Sequence, residues 1–113
     1  GGDYVSIDLW VHVEGAGLGT YDIDVWYDGT LITVIDCTAG SGGTCDPYWD
    51  VDTINFVGYS GQGGDVYIGT IDFRAGYGTG TAYVNVTPHE LTDNQGDDVL
   101  YEAYSYSGTI EVY

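Results

Sequence analysis

The stretch GLGTYDIDVWYDG, residues 17–29, decides the fold class. Successive side chains of an extended chain point to opposite faces, so Tyr21, Ile23, Val25 and Tyr27 share one side while Asp22, Asp24, Trp26 and Asp28 share the other. One side suits a core; the other sends carboxylates and an indole outward. The stretch therefore reads as a half-buried β-strand.

The same period governs the segment before it, where Val5, Ile7, Leu9, Val11 and Val13 alternate with Tyr4, Ser6, Asp8, Trp10, His12 and Glu14. Further strands are expected at Leu31–Asp36, Thr53–Val57, Asp65–Ala75, Thr81–Thr87, Val99–Tyr104 and Thr109–Tyr113, separated by clusters of Gly, Asp, Asn and Pro. Eight short strands with no helical period predict an all-β sandwich of antiparallel strands. The 113 residues fit one domain, spanning 1–113.

Eighteen acidic residues against one basic residue, Arg74, give a net charge of -17. Phosphate backbones and anionic membrane surfaces repel such a chain, which argues against nucleic acid as a partner. No apolar run is long enough to span a membrane. Self-repulsion of this size is relieved by nearby cations, bound at sites or supplied as salt. Aspartate outnumbers glutamate fourteen to four, and calcium favours short carboxylates in loops, so calcium is the expected cofactor.

Cys37 and Cys45 bracket the flexible insert TAGSGGT, with no set of four zinc ligands near them. A local disulfide is expected, and with it an oxidising compartment. The chain starts without methionine or a signal peptide, as a mature secreted product would, so an extracellular or cell-surface location is expected.

The order of signals GGDYVSIDLWVHVEGAGLGTYDIDVWYDG, LITVIDC, GGDVYIGTIDFRAG, ELTDNQGDD and GTIEVY resembles the cohesin domain of cellulosomal scaffolds and of archaeal and bacterial surface proteins. The resemblance implies a nine-stranded jelly roll without a catalytic centre, used to hold proteins together. It implies calcium-dependent binding of a dockerin partner, the calcium usually belonging to the dockerin. Cohesins usually carry a strand before the turn that Gly1-Gly2-Asp3 matches, and that strand pairs with the last one. Its absence here predicts an unpaired edge along Thr109–Tyr113, with Thr109, Ile110 and Val112 open to a strand from another molecule.

Three acidic groups are candidate calcium ligands. They are Asp22 and Asp24 on the opening strand, Asp46, Asp50 and Asp52 in CDPYWDVD, and Asp93, Asn94, Asp97 and Asp98 in TDNQGDD. The resemblance reads TDNQGDD partly as a structural turn, and CDPYWDVD reads as an irregular contact loop or a crossover between sheets. Trp10, Trp26, Trp49 and Tyr48 are candidate contact residues, either a platform for sugar rings or the core of a protein interface. Asn85-Val86-Thr87 is a glycosylation sequon whose strand phase turns Asn85 outward.

His12 and His89 show no metal-ligand spacing, and there is no nucleophile elbow, phosphate loop or HExxH motif, so an enzyme is not expected. The sequence points to an extracellular assembly subunit that joins copies of itself through edge strands and calcium-bridged acidic contacts. A cohesin module for a dockerin-bearing partner and a carbohydrate-binding module are the alternatives.

Overall fold

The computed structural model describes residues 2–13, 15 and 17–97, and residues 108–112 as backbone. The described chain forms eight strands: β1 (Tyr4–Val13), β2 (Leu18–Tyr27), β3 (Ile32–Ala39), β4 (Gly43–Asp50), β5 (Thr53–Tyr59), β6 (Gly64–Ala75), β7 (Gly80–Asp93) and β8 (Gly108–Val112). They build two sheets with strand orders β1-β6-β3 and β4-β5-β2-β7-β8. Every pairing is antiparallel. The expected all-β sandwich is the architecture observed.

β2 is the middle strand of the larger sheet, and its alternation is realised: Tyr21, Ile23, Val25 and Tyr27 are buried while Trp26 is exposed. Facing them from the smaller sheet are Leu9, Val11 and Val13 of β1 and Val66, Ile68, Ile71 and Phe73 of β6. Tyr27 meets Phe73 edge-on across the sandwich, with ring centroids 5.3 Å apart, a geometry that adds to the burial of both rings. Truncating a fully buried ring such as Phe73 or Phe56 costs about 3–5 kcal/mol.

Cys37 and Cys45 form a disulfide, as expected, and the connection joins two sheets. Cys37 lies on β3, at the edge of the small sheet, and Cys45 on β4, at the edge of the large one. The bond therefore staples the sandwich shut along one side.

The structure corrects two boundaries. CDPYWDVD is no loop: its first six residues finish β4, and Val51 and Asp52 form the turn to β5. The strand escapes a period-2 reading because it bulges. Asp46 pairs with Asn55 and Asp50 with Thr53, so two extra residues are accommodated around Pro47, where an edge strand tolerates a missing N–H. β7 runs past Thr87 to Asp93, with Pro88 placed at a second bulge, opposite Ile23. The strand expected at Val99–Tyr104 lies outside the described residues, as does Asp98. The strand expected at Thr109–Tyr113 is β8, which pairs with β7 at the end of the larger sheet's order.

Candidate functional site

The outer face of the five-stranded sheet gathers the polar residues of β2. Antiparallel register places Asp24 between Asn55 of β5 and Thr87 of β7, and Asp22 between Val57 and Glu90. Asn55 is only 4% exposed although it points away from the core. Its amide nitrogen donates to Asp22 Oδ1 and to Asp24 Oδ1, each at 2.8 Å. A primary amide has two N–H donors, and both are used. The clamp holds two like charges at neighbouring outward positions of one strand and fixes their rotamers.

The bulge in β7 supplies the next member. Pro88 opposes Ile23 and Glu90 opposes Asp22, so His89 is the extra residue, and both His89 and Glu90 reach the outer surface. His89 Nε2 lies 2.7 Å from Asp24 Oδ2. A carboxylate only accepts, so this nitrogen carries the hydrogen. Thr20 donates to Glu90 Oε1 at 3.2 Å and shares a 2.7 Å hydroxyl contact with Thr92. The result is a bonded polar centre, Asp22-Asn55-Asp24-His89, across three strands.

Around this centre lie exposed apolar groups. Val57 and Tyr59 stand toward the Thr20 end of β2, while Trp26 and Tyr83 stand toward the Asp28 end. Tyr48, Trp49 and Val51 are exposed on β4 and its turn. Aromatics beside a satisfied polar core are what a protein interface uses, since rings bury area at little entropic cost while fixed hydrogen-bonding groups set register.

The tryptophans do not make one platform. Trp10 is on β1, so it faces outward from the small sheet, whereas Trp26 and Trp49 belong to the large sheet. Asn85 is exposed on β7 directly opposite Trp26, as its phase predicted.

Three of the candidate calcium ligands hold backbone hydrogens. Asp46 Oδ1 accepts from the Tyr48 N–H at 2.9 Å and Asp50 Oδ1 from the Val51 N–H at 2.7 Å. Asp93 Oδ1 accepts from Gln95 and Asp97 N–H at 2.8 and 2.9 Å, which makes TDNQG a capped turn. Asn94 Nδ2 donates to the Gly61 carbonyl, and Asp52 sits in the β4–β5 turn with φ of 52°. Among the described residues, no three His, Cys, Asp or Glu side chains converge to hold a metal ion. The preference for aspartate over glutamate has a local cause here: the shorter side chain reaches N–H groups one, two or four residues on.

Two antiparallel sheets packed face to face, with an ordered acidic and aromatic outer face on the larger one, define a β-sandwich of the jelly-roll class. No family model and no curated protein matches the sequence. Solved structures match in fold. The sixth cohesin of Acetivibrio cellulolyticus scaffoldin B, crystallised with a Cel5 dockerin mutant, superposes with a TM-score of 0.80 at 18% identity, covering 99% of this chain and 90% of that one. The OlpA cohesin of Clostridium thermocellum, in complex with Doc918, gives 0.75 at 16% identity, covering 99% and 90%. A non-cellulosomal cohesin from the archaeon Archaeoglobus fulgidus gives 0.75 at 16%, covering 99% and 82%. The chain is a cohesin-like domain in its fold.

Proposed function

We propose that the chain is a non-catalytic recognition module whose five-stranded face binds a dockerin-like protein. The observation that carries the reading is the Asn55 clamp: a nearly buried amide that holds Asp22 and Asp24 in place on an otherwise exposed sheet. Preordered polar groups lose little freedom when a partner docks, so their hydrogen bonds count toward affinity and specificity. Two of the similar structures are cohesins in complex with dockerins, which supports the same class of partner.

Partner binding is favoured over self-assembly by charge. Every copy carries -17, so a self-complementary contact on the acidic face would bring like charges together. Within one copy, no three described His, Cys, Asp or Glu side chains converge to hold a metal ion. In this reading any calcium required is the partner's. A partner surface bearing Lys or Arg matches Asp22, Asp24 and Glu90.

The test is sedimentation of the purified chain alone and with a panel of calcium-loaded dockerins, including those crystallised with the similar cohesins. A monomer that forms a 1:1 complex with at least one of them, weakened at least tenfold by Asp24→Ala, supports the proposal. Polymers of the chain alone, or no complex across the panel, contradict it.

A further inference from the structure

The opposite face of the sandwich carries a second constructed feature. β1 and β6 pair in simple register until Leu9 meets Gly69; the next pair is Trp10 with Tyr67, so Ile68 is the extra residue of a bulge. Ile68 is fully buried, and a Cβ on Gly69 would lie 2.4 Å from Phe56 Cε1 and 2.5 Å from the Thr38 carbonyl oxygen. Only glycine fits there. The bulge thus turns Ile68 into the core and Tyr67 outward beside Trp10, the kind of re-aiming for which bulges are used.

The two rings lie with centroids 5.3 Å apart and planes at 60°. They form an open corner on the surface, Trp10 being 50% exposed and Tyr67 36%. Tyr67 is held on several sides. Its ring edge abuts Gly40, where a Cβ would come within 3.1 Å of Cδ2. Its hydroxyl bonds to Thr70 Oγ1, and Thr70 in turn donates to Asp8 Oδ1 at 2.7 Å. Since the threonine hydrogen goes to Asp8, the tyrosine hydroxyl donates to Thr70. Past Trp10 on the same strand, His12 Nδ1 lies 2.8 Å from Asp65 Oδ1.

We infer that this corner is a binding site for a neutral saccharide, distinct from the protein-binding face. A pyranose has an apolar C–H face and a rim of hydroxyls. The C–H groups match the electron-rich ring faces of Trp10 and Tyr67, and the hydroxyls can donate to the carboxylates of Asp8 and Asp65, which only accept. Outward neighbours two positions apart on a strand are roughly 6.5–7 Å apart, so Asp8 and His12 flank Trp10 at about the width of one sugar ring. A sugar offers hydroxyl donors around its whole rim, more densely than a protein surface of the same size. The net charge of -17 disfavours acidic glycans. A shallow site of this size binds a single sugar with Kd on the order of millimolar, and a polymer is retained by rebinding along its repeats.

The experiment is native affinity electrophoresis in gels containing mixed-linkage β-glucan, neutral xylan, galactomannan or alginate, with pull-down on insoluble cellulose and chitin. The chain should be retarded or retained by at least one neutral polymer and not by alginate. Trp10→Ala should abolish the effect and Asp8→Asn should weaken it several-fold. Trp26→Ala, on the opposite sheet, should leave it unchanged. Trp10 is half exposed, so its variant should keep the parent's melting transition, and a refolded near-ultraviolet spectrum checks this. No retention on any neutral polymer, or equal loss in Trp26→Ala, overturns the inference. So does loss of dockerin binding in Trp10→Ala without any polysaccharide effect. Because the two faces are separate, a lack of polysaccharide retention leaves the protein-binding proposal standing, and a lack of dockerin binding leaves this one standing.

Discussion

Asn55 of β5 donates to Asp24 of β2 at 2.8 Å, and the second hydrogen of the same amide goes to Asp22. The pair is the hinge of the surface chemistry. It turns two neighbouring carboxylates, which would otherwise repel and sample several rotamers, into a fixed acceptor array.

Replacing Asn55 by alanine leaves two carboxylates without their shared donor on a mostly covered patch. The expected cost is about 2–3 kcal/mol, from two hydrogen bonds to charged groups and the desolvation left uncompensated. Urea denaturation measures it. Asn55→Asp should be worse than Asn55→Ala, because a third carboxylate then faces the other two.

The disulfide ties the edges of opposite sheets. Cys37→Ser with Cys45→Ser should lower stability by about 2–3 kcal/mol, as expected for a short closed loop. Hydrogen exchange should show the loss concentrated at β3 and β4, with β2 and β7 less affected. A uniform loss of protection would mean that the bond acts only through the unfolded chain.

Burial raises the hydroxyl pKa of Tyr21 above the usual 10.0. Burial, reinforced by the Asp52 carboxylate, does the same at Tyr27. The unfolded chain then loses these protons first, so the contribution of these two groups is fully present below pH 10 and is lost as pH rises from the unfolded-state value toward the folded-state values. Denaturation midpoints at pH 8, 9.5 and 10.5 should show that fall. Tyr21→Phe removes one of the two titrating hydroxyls and should make the fall shallower, with Tyr27 supplying what remains.

With a net charge of -17, raising ionic strength should stabilise the chain. Moving from 0.01 M to 1 M salt shortens the screening length from about 30 Å to about 3 Å, and a gain of roughly 1 kcal/mol would raise the melting temperature by about 4–8 °C. Calcium and magnesium at equal ionic strength should act alike. A rise specific to calcium would point back to Asp93, Asp97 and Asp98.

How much of this was legible beforehand follows from the strand period. β1 and β2 declare themselves because one face of each is buried, so alternation and burial coincide; β6 does so on either side of its bulge at Ile68. β4 does not, because the bulge around Pro47 breaks its phase and its position at an edge leaves Tyr48, Trp49 and Asp50 exposed together. The aspartates were visible as outward groups, but their partners depend on register between strands far apart in sequence. Asn55, 31 residues from Asp24, gave no local sign beyond being a lone amide inside an apolar strand. The Trp10–Tyr67 pair was hidden for the same reason, although Gly69 inside a strand is the signature of a bulge. The disulfide was legible from spacing; its role in joining two sheets was not.

The central claim is that the partner docks on the clamped face. The most direct measurement is amide hydrogen exchange of the chain with and without a dockerin that binds it. Added protection on β5, β2 and β7 around Asn55, Asp24 and His89, with β1 and β6 unchanged, is the predicted result. Protection confined to β1, β6 and β3, or to β8 alone, would contradict the account.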